Sequence, residues 1–287
     1  MMSDRATIFL SHGLRAAGVR AFDAELRGLT GHEEALISEC PGRLTPAECT
    51  TALLAAVTTR IGPVGQVTPE MVAELVIGDR ERLLLNLCRL TFGPQLDLVA
   101  TCPREGCGAV AEVPVSLDDI VAGRPDASRD IEQEIRLVAP AGQWRVRFRL
   151  PSGRDQERAA RLHDRAAAAR ALVVDCVLEI ADPSGTPVSP ADLPAAFEIP
   201  LSDAFHHLDP SAETTTGIAC PSCGVEIQAM LDGFTILHSS LARSSGIFGD
   251  VFRMARSYHW SEAEILALPR ERRMRYLEVA AEMEAAG

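Results

Sequence analysis

Two closely spaced pairs of cysteines, set far apart along the chain, constrain the fold more than any other feature of the sequence. The first pair lies in CPREGCG, as Cys102 and Cys107, and the second lies in CPSCG, as Cys220 and Cys223. Tetrahedral zinc is bound by four soft ligands, and short loops of this form bring two thiolates to one ion. The spacing therefore predicts a single Zn²⁺ site that joins two distant segments. With four protein ligands, the metal would be structural and not catalytic.

Two other interpretations of the pairs stay open at the level of sequence. CPSCG could be a redox dithiol of the thioredoxin type, or both pairs could be accidental surface cysteines. A thioredoxin motif stands between a strand and a long helix, whereas VEIQAML after CPSCG is typical of a strand, which favours the zinc site. Of the other cysteines, we expect Cys88 and Cys176 to be buried core thiols and Cys40 and Cys49 to stand alone.

The composition favours a soluble acidic protein with protein partners. A hydrophobic content of 47% in 287 residues can form a substantial core. The formal net charge of -12 disfavours nucleic acid as a partner, because that binding depends on Lys and Arg neutralising phosphates. No stretch approaches the roughly 18 apolar residues of a membrane span, and the N-terminus lacks the pattern of a secretory signal. We expect a cytoplasmic protein that contacts no membrane.

Helix signals dominate both ends of the chain. Thr30 with Glu33 fits a capping box, and Thr45 and Thr68 each precede a proline at a first helical position. These signals predict a mainly helical region over residues 1–97. A second capping box at Ser261 predicts a helical region over residues 233–287.

Alternating apolar residues flank each cysteine pair, which predicts two strand–loop–strand units over residues 98–116 and 214–232. Together they would form a split zinc ribbon. Residues 117–213 between them show strand-like alternation and then an Ala-rich stretch, predicted as one helix from Asp155 to Ile180. The fold class predicted is α+β, a mainly helical body with a split zinc ribbon and an inserted α/β subdomain at 117–213.

No catalytic motif is evident in the sequence. His206 and His207, beside Asp203 and Asp209, could suggest a second metal site, but adjacent histidines on a helix point in different directions and no third ligand has i, i+4 spacing. The sequence also lacks the Gly-x-Ser-x-Gly nucleophile elbow, the phosphate-binding Gly-x-x-x-x-Gly-Lys-Ser/Thr loop and the His-Glu-x-x-His motif. We therefore expect no enzyme activity, no catalytic residues and no small-molecule substrate.

A stripe of aromatic residues near the C-terminus has two interpretations. Helically spaced aromatics are more often core than interface, although they could also contact a partner protein. The residues concerned are Phe248, Phe252, Tyr258, Trp260 and Tyr276.

An ordered series of segments resembles the baseplate hub assembly proteins of contractile phage tails and of phage-derived contractile injection systems. The series consists of LRGLTGHEEALI, VIGDRERLLLNLCRLTFGPQLDLVATCPREGCG, FRLPSGRDQERAA and MARSYHWSEAEILALPRERRMRYLEVA. The resemblance implies a non-enzymatic protein that assembles, or joins, the baseplate and central hub of a contractile tail. It also implies baseplate, hub or spike proteins as partners, and a location in the cytoplasm or in the injection particle.

The cysteine pairs alone support a different function, a zinc-ribbon module that binds nucleic acid or associates with transcription. The acidic charge counts against this alternative. An enzyme that uses a pocket between body and insertion is a third hypothesis with weaker motivation.

Overall fold

The computed structural model describes residues 5–16, 19–121, 131–242 and 246–286. Helices and strands are both abundant, which confirms the α+β class. The α-helices are α1 (Gly31–Glu39), α2 (Pro46–Val57), α3 (Pro69–Ala73), α4 (Ile77–Phe92), α5 (Leu117–Val121), α6 (Gly153–Ala160), α7 (Arg165–Cys176), α8 (Glu198–Leu208), α9 (Gly233–Ala242), α10 (Gly246–Tyr258), α11 (Glu262–Leu266) and α12 (Arg270–Ala286). The strands are β1 (Arg5–Ala16), β2 (Val19–Arg27), β3 (Thr58–Ile61), β4 (Gln95–Thr101), β5 (Val110–Ser116), β6 (Glu132–Ala139), β7 (Gly142–Arg149), β8 (Val177–Ala181), β9 (Pro187–Val188), β10 (Thr214–Ala219) and β11 (Glu226–Leu231).

The N-terminal region contains an antiparallel sheet of order β1-β2-β3, so the prediction of a mainly helical region over 1–97 missed its first elements. Two features of the sequence conceal these strands. The pairing of β1 with β2 shifts register between Phe9 and Leu14, which interrupts the alternation expected of a strand. In β2, the sequence AFDAELR consists largely of residues that favour helices, and strand pairing overrides that local preference.

The predicted helix starts are confirmed. Thr45, Thr68 and Ser261 each accept a hydrogen bond from a backbone N–H in the first turn of α2, α3 and α11. At the start of α1, the Glu33 carboxylate accepts a hydrogen bond from the backbone N–H of Thr30 at 2.9 Å. These caps fix the helix starts from local sequence alone.

The middle of the chain forms a four-stranded antiparallel sheet of order β6-β7-β8-β9, covered by α7 and α8. Its core includes Val146, Phe148, Phe197 and Leu201. The predicted single helix over 155–180 is wrong. Asp164 accepts hydrogen bonds from two backbone N–H groups and starts the separate helix α7, and VLEIA at its end pairs with β7 as β8. The domain boundaries drawn from sequence stay a prediction.

A larger core joins the N-terminal sheet, the helices and both cysteine-bearing hairpins. Leu10 and Leu26 of the sheet, Leu53 of α2 and Leu83 of α4 are almost fully buried in it. Val113 of β5 and Leu231 of β11 belong to the same core, as does Leu237 of α9. The hairpins are thus anchored in the body of the protein.

Two cysteines expected to stand alone are joined. Cys40 at the end of α1 and Cys49 in the first turns of α2 form a disulfide with a Cα–Cα distance of 6.1 Å. The short connection between the two helices, which contact each other, brings the side chains together. A separation of nine residues in sequence does not predict this contact. Cys88 and Cys176 are free and buried.

The C-terminal helices are attached to α1 by buried charges. Arg273 of α12 donates hydrogen bonds to Glu34 of α1 at 2.5 Å and to Asp250 of α10 at 3.2 Å. Arg273 has no exposed side-chain surface, and Glu34 is 3% exposed. The network therefore holds three helices together by paired ions.

The C-terminal aromatic stripe is divided between two environments. Tyr258, Trp260 and Tyr276 contact one another with ring centroids 4.9 to 5.6 Å apart. Phe248 and Phe252, one turn apart on α10, are exposed. Only part of the stripe is therefore packed against its own chain.

Candidate metal centre

Each cysteine pair lies in the loop of a two-stranded antiparallel hairpin, as the sequence predicts. The pairing of β4 with β5 ends at Thr101 opposite Val110, and the pairing of β10 with β11 ends at Ala219 opposite Glu226. In β5 and β11, exposed residues alternate with buried or half-buried ones, and in β4 and β10 they alternate with half-buried ones. Since side chains alternate along a strand, one face of each hairpin packs on the core while the loop projects beyond it.

Backbone hydrogen bonds close each loop into a knuckle. The Cys102 N–H donates to Ala109 O at 2.8 Å, and the Cys220 N–H donates to Val225 O at the same distance. Gly106, Gly108 and Gly224 adopt positive φ angles, which glycine allows without strain. These turns direct both thiols of each loop to the same side.

The two knuckles meet, and their four sulfur atoms form one cluster. Cys102 Sγ lies 3.6 Å from Cys223 Sγ, and Cys107 Sγ lies 3.9 Å from Cys220 Sγ. All four sulfurs lie within 4.8 Å of one another. A zinc ion with Zn–S bonds of about 2.3 Å places its tetrahedral ligands roughly 3.8 Å apart. The spacing of the sulfurs therefore suits tetrahedral coordination, and it is too long for disulfides.

The cluster has a small core of its own. Cys102 and Cys220 are buried together with Ala111 and Ile227, while Cys107 and Cys223 are half-buried. This core consists of side chains from both hairpins. The two knuckles therefore pack against each other, and the thiols lie between them.

The thiols differ in their readiness to ionise. A hydrogen bond from the Val225 backbone lowers the pKa of Cys223 to about 6. The Arg104 backbone N–H lowers the pKa of Cys102, but burial and the neighbouring thiols raise it overall, to about 12. The first thiolate to form therefore opposes ionisation of the others, since like charges repel at this distance. A bound cation would remove that conflict.

The histidines considered from sequence lie elsewhere. His206 lies at the end of α8, 3.9 Å from Glu213, and His207 beside it is exposed. Among the described residues, the cysteine cluster is the group in which three or more metal-binding side chains come together.

A buried polar contact between the middle subdomain and α4 was not predicted from sequence. Asp209, just after α8, accepts a hydrogen bond from the backbone N–H of Gly78 in the first turn of α4 at 2.8 Å. The neighbouring Asp79 carboxylate accepts from the backbone N–H groups of three successive residues in the bulge of β1, at 2.5 to 3.0 Å. Burial raises the pKa of Asp79. The sequence held no local signal for this contact, because Asp79 stands in the charged run GDRER and Asp209 stands in HHLDPSA.

A second buried hydrogen-bond network surrounds Arg80. Its guanidinium donates to Thr51 Oγ1 at 3.0 Å, to Val72 O at 3.1 Å and to Ala47 O at 3.1 Å, and burial lowers its pKa to about 10. A Cβ on Gly153 would lie 2.1 Å from Arg80 Nη1. Glycine is therefore needed where the start of α6 crosses this side chain.

The fold and the site define an α+β protein in which two hairpins, separated by a middle subdomain, bring four cysteines together. The family model described as T4 bacteriophage base plate protein matches residues 47–236, more than half of the chain. The chain therefore belongs to the T4 bacteriophage base plate protein family. No curated protein matches the chain significantly. The same is true of solved structures.

Membership in this family confirms the predicted relationship to phage baseplate proteins and supports a structural or assembly role in a phage baseplate. The matched region begins with α2 and extends into α9, so it contains both hairpins and the whole middle subdomain. None of the described helices is long and apolar enough to span a membrane.

Proposed function

We propose that the protein is a non-enzymatic assembly factor or structural component of the baseplate and hub of a phage-tail-like contractile injection system, stabilised by a structural zinc ion. The observation that carries the role is the family match over residues 47–236. Baseplate, hub or spike subunits would be the partners. An assembly factor would act in the cytoplasm, and a structural component would enter the injection particle.

The zinc proposal rests on the donor set. Cys102, Cys107, Cys220 and Cys223 offer four soft ligands at tetrahedral spacing, and they leave no position open for water or substrate. The ion would connect the chain segments that enter and leave the middle subdomain, at β5 and β10. Its binding energy would then act as folding energy.

A nucleic-acid-binding zinc ribbon is the alternative function, and charge counts against it. A net charge of -12 opposes binding to a phosphate backbone. The hairpin that presents the first knuckle carries Asp97 and Glu112 on its exposed positions. Binding to DNA or RNA that weakens steeply with salt would support this alternative instead.

The role is tested by mass spectrometry on native cells. Purified injection particles are compared with soluble complexes that co-purify with the protein. Detection in both identifies a baseplate component, and detection only in soluble complexes with hub or spike subunits identifies an assembly factor. The proposal fails if baseplate subunits accompany the protein in neither fraction.

The metal is tested separately by elemental analysis and thermal unfolding. The full chain should hold one zinc, and Cys107→Ser and Cys220→Ser should lose it together with a large part of the stability. A structural zinc site contributes about 10–16 kcal/mol to folding, comparable to the whole stability of a domain, about 5–15 kcal/mol. Cys88→Ser, outside the cluster, should retain the metal. An unchanged melting temperature on chelation would contradict the proposal.

A further inference from the structure

A cleft of about 500 Å³ lies between the body and the middle subdomain. One wall consists of α2 and α4, and the opposite wall consists of α6 and α8. The junction of β11 with α9 closes one side. Apolar side chains contribute much of its surface, among them Leu84, Phe205, Met230 and Phe234. Met230 is 67% exposed, which leaves it available for contact.

The charges that line the cleft are mainly negative. Glu81, Asp209, Glu213 and Asp232 line it, and Arg80 and His206 are the basic residues among its lining groups. Arg80 is 1% exposed and its guanidinium is hydrogen-bonded to α2 and to Val72, so it offers little positive charge to a ligand. The cleft therefore suits a positively charged group.

Two of these carboxyl groups are largely buried and accept hydrogen bonds from backbone N–H groups. Glu81 accepts a hydrogen bond from the Gly233 backbone N–H at 2.6 Å, and burial, with some contribution from Asp232, raises its pKa to about 8. Asp209 is 3% exposed, and its Oδ1 has no hydrogen-bond partner among the described residues. His12 Nε2 lies 3.6 Å from that oxygen, beyond hydrogen-bonding distance. Because this oxygen is itself buried, Asp209 contributes negative charge to the floor of the cleft and not a hydrogen bond to a ligand.

We propose that this cleft binds an extended segment of a partner protein in which a lysine or arginine side chain is flanked by apolar residues. The apolar walls require more than a bare cation, and the carboxyl groups at the floor select a positive side chain. Since the chain belongs to a baseplate family, the partner would be another baseplate subunit, and that identification alone rests on the proposed function.

The test uses the full chain and isothermal titration calorimetry. The probes are three acetylated and amidated heptapeptides that alternate leucine with lysine, glutamine or glutamate. The lysine peptide should bind about tenfold more tightly than the glutamine peptide, which corresponds to about 1.4 kcal/mol, and the glutamate peptide more weakly still. Glu81→Gln keeps an acceptor for the Gly233 N–H and, at pH 9, where Glu81 is mostly ionised, should weaken lysine-peptide binding about fivefold. Glu112→Gln, an exposed carboxylate outside the cleft, is the matched control.

The pH dependence gives a second readout. A cation binds the ionised form of Glu81, so lysine-peptide affinity should rise between pH 7 and pH 9 as that carboxyl loses its proton. The other charged groups that line the cleft are His206, Asp209, Glu213, Asp232 and Arg80. The rise in affinity should disappear in Glu81→Gln. That loss would assign the pH dependence to Glu81 and not to the neighbouring groups.

Three outcomes would overturn the proposal. The lysine and glutamine peptides could bind equally, Glu81→Gln could behave like Glu112→Gln, or spermidine could bind as tightly as the lysine peptide, which would identify a site for small polyamines. None of these outcomes affects the detection of the protein in injection particles, so the cleft and the baseplate role fail separately.

Discussion

Gly78 and Asp209 should be strongly coupled in stability, because Asp209 occupies the space that a larger residue at position 78 would need. The side chain of Val76, the N-cap residue of α4, cannot accept a hydrogen bond. The carboxylate of Asp209, from a distant segment, instead accepts the hydrogen bond of the Gly78 backbone N–H. A Cβ on Gly78 would lie 2.0 Å from Asp209 Oδ1. Gly78→Ala must therefore displace the carboxylate.

The expected magnitude follows from the contacts that are lost. A buried hydrogen bond to a charged acceptor contributes about 1.5–3 kcal/mol, and a negative charge at a helix N-terminus contributes about 0.3–1 kcal/mol. Asp209→Ala should therefore destabilise the protein by about 2–4 kcal/mol. Gly78→Ala should lose the same contact but regain up to about 1 kcal/mol in helix propensity. With Asp209 already removed, alanine at position 78 should cost almost nothing.

Urea unfolding of the two single variants and the double variant measures this coupling as a double-mutant cycle. The double variant should be no less stable than Asp209→Ala alone, which gives a coupling energy of about 1.5–3 kcal/mol. Asp203→Ala, on the exposed face of the same helix α8, should change stability by less than about 0.5 kcal/mol. If the two single effects simply add, the displacement of Asp209 by the new Cβ is refuted.

The remaining predictions concern buried charges. Glu34→Gln removes one of the two carboxylates that pair with the fully buried Arg273, while Asp250 remains, and should destabilise the protein by about 1.5–3 kcal/mol, the contribution of a hydrogen bond to a charged group. Glu39→Gln, in an exposed ion pair, should change it by less than about 1 kcal/mol; equal melting temperatures would contradict this. Burial raises the pKa of Asp155, but hydrogen bonds, chiefly from Arg149, lower it overall to about 2, below its unfolded value near 3.8. The difference in free energy of unfolding between the wild type and Asp155→Asn should therefore be largest above pH 4 and decrease as the pH falls towards 2. A difference that stays constant over that range in acid titrations would refute the assignment.

Features set by short stretches of chain were predictable from sequence. The capping residues Thr45, Thr68 and Ser261 act within one helical turn, and each cysteine loop is defined by glycines and by the alternation beside it. The meeting of the two loops was also predictable, since four-cysteine chemistry requires all the ligands at one place.

Features that depend on distant partners were not predictable. Gly78 and Asp209 are separated by 131 residues, and nothing near either one specifies the other. In β2, helix-favouring residues form a strand because β1 and β3 flank it. The end of α7 shows the same effect, since VLEIA continues a helical run in sequence but pairs with β7 in the sheet.

The attachments of the middle subdomain explain why a cleft can persist beside it. Between β7 and α6, the backbone N–H of Gly153 donates to Leu75 O at 3.0 Å, and Pro151 O accepts from the Ile77 N–H at 3.1 Å. At its end, Asp209 is bonded to Gly78, and the cysteine cluster holds the hairpins through which the chain enters and leaves. A subdomain attached at one point can pivot, but attachments at three separate places along its chain resist rotation, because any pivot breaks buried hydrogen bonds. The walls of the cleft are therefore held apart by the same contacts that hold the subdomain in place, which favours binding without the entropic cost of closing a hinge.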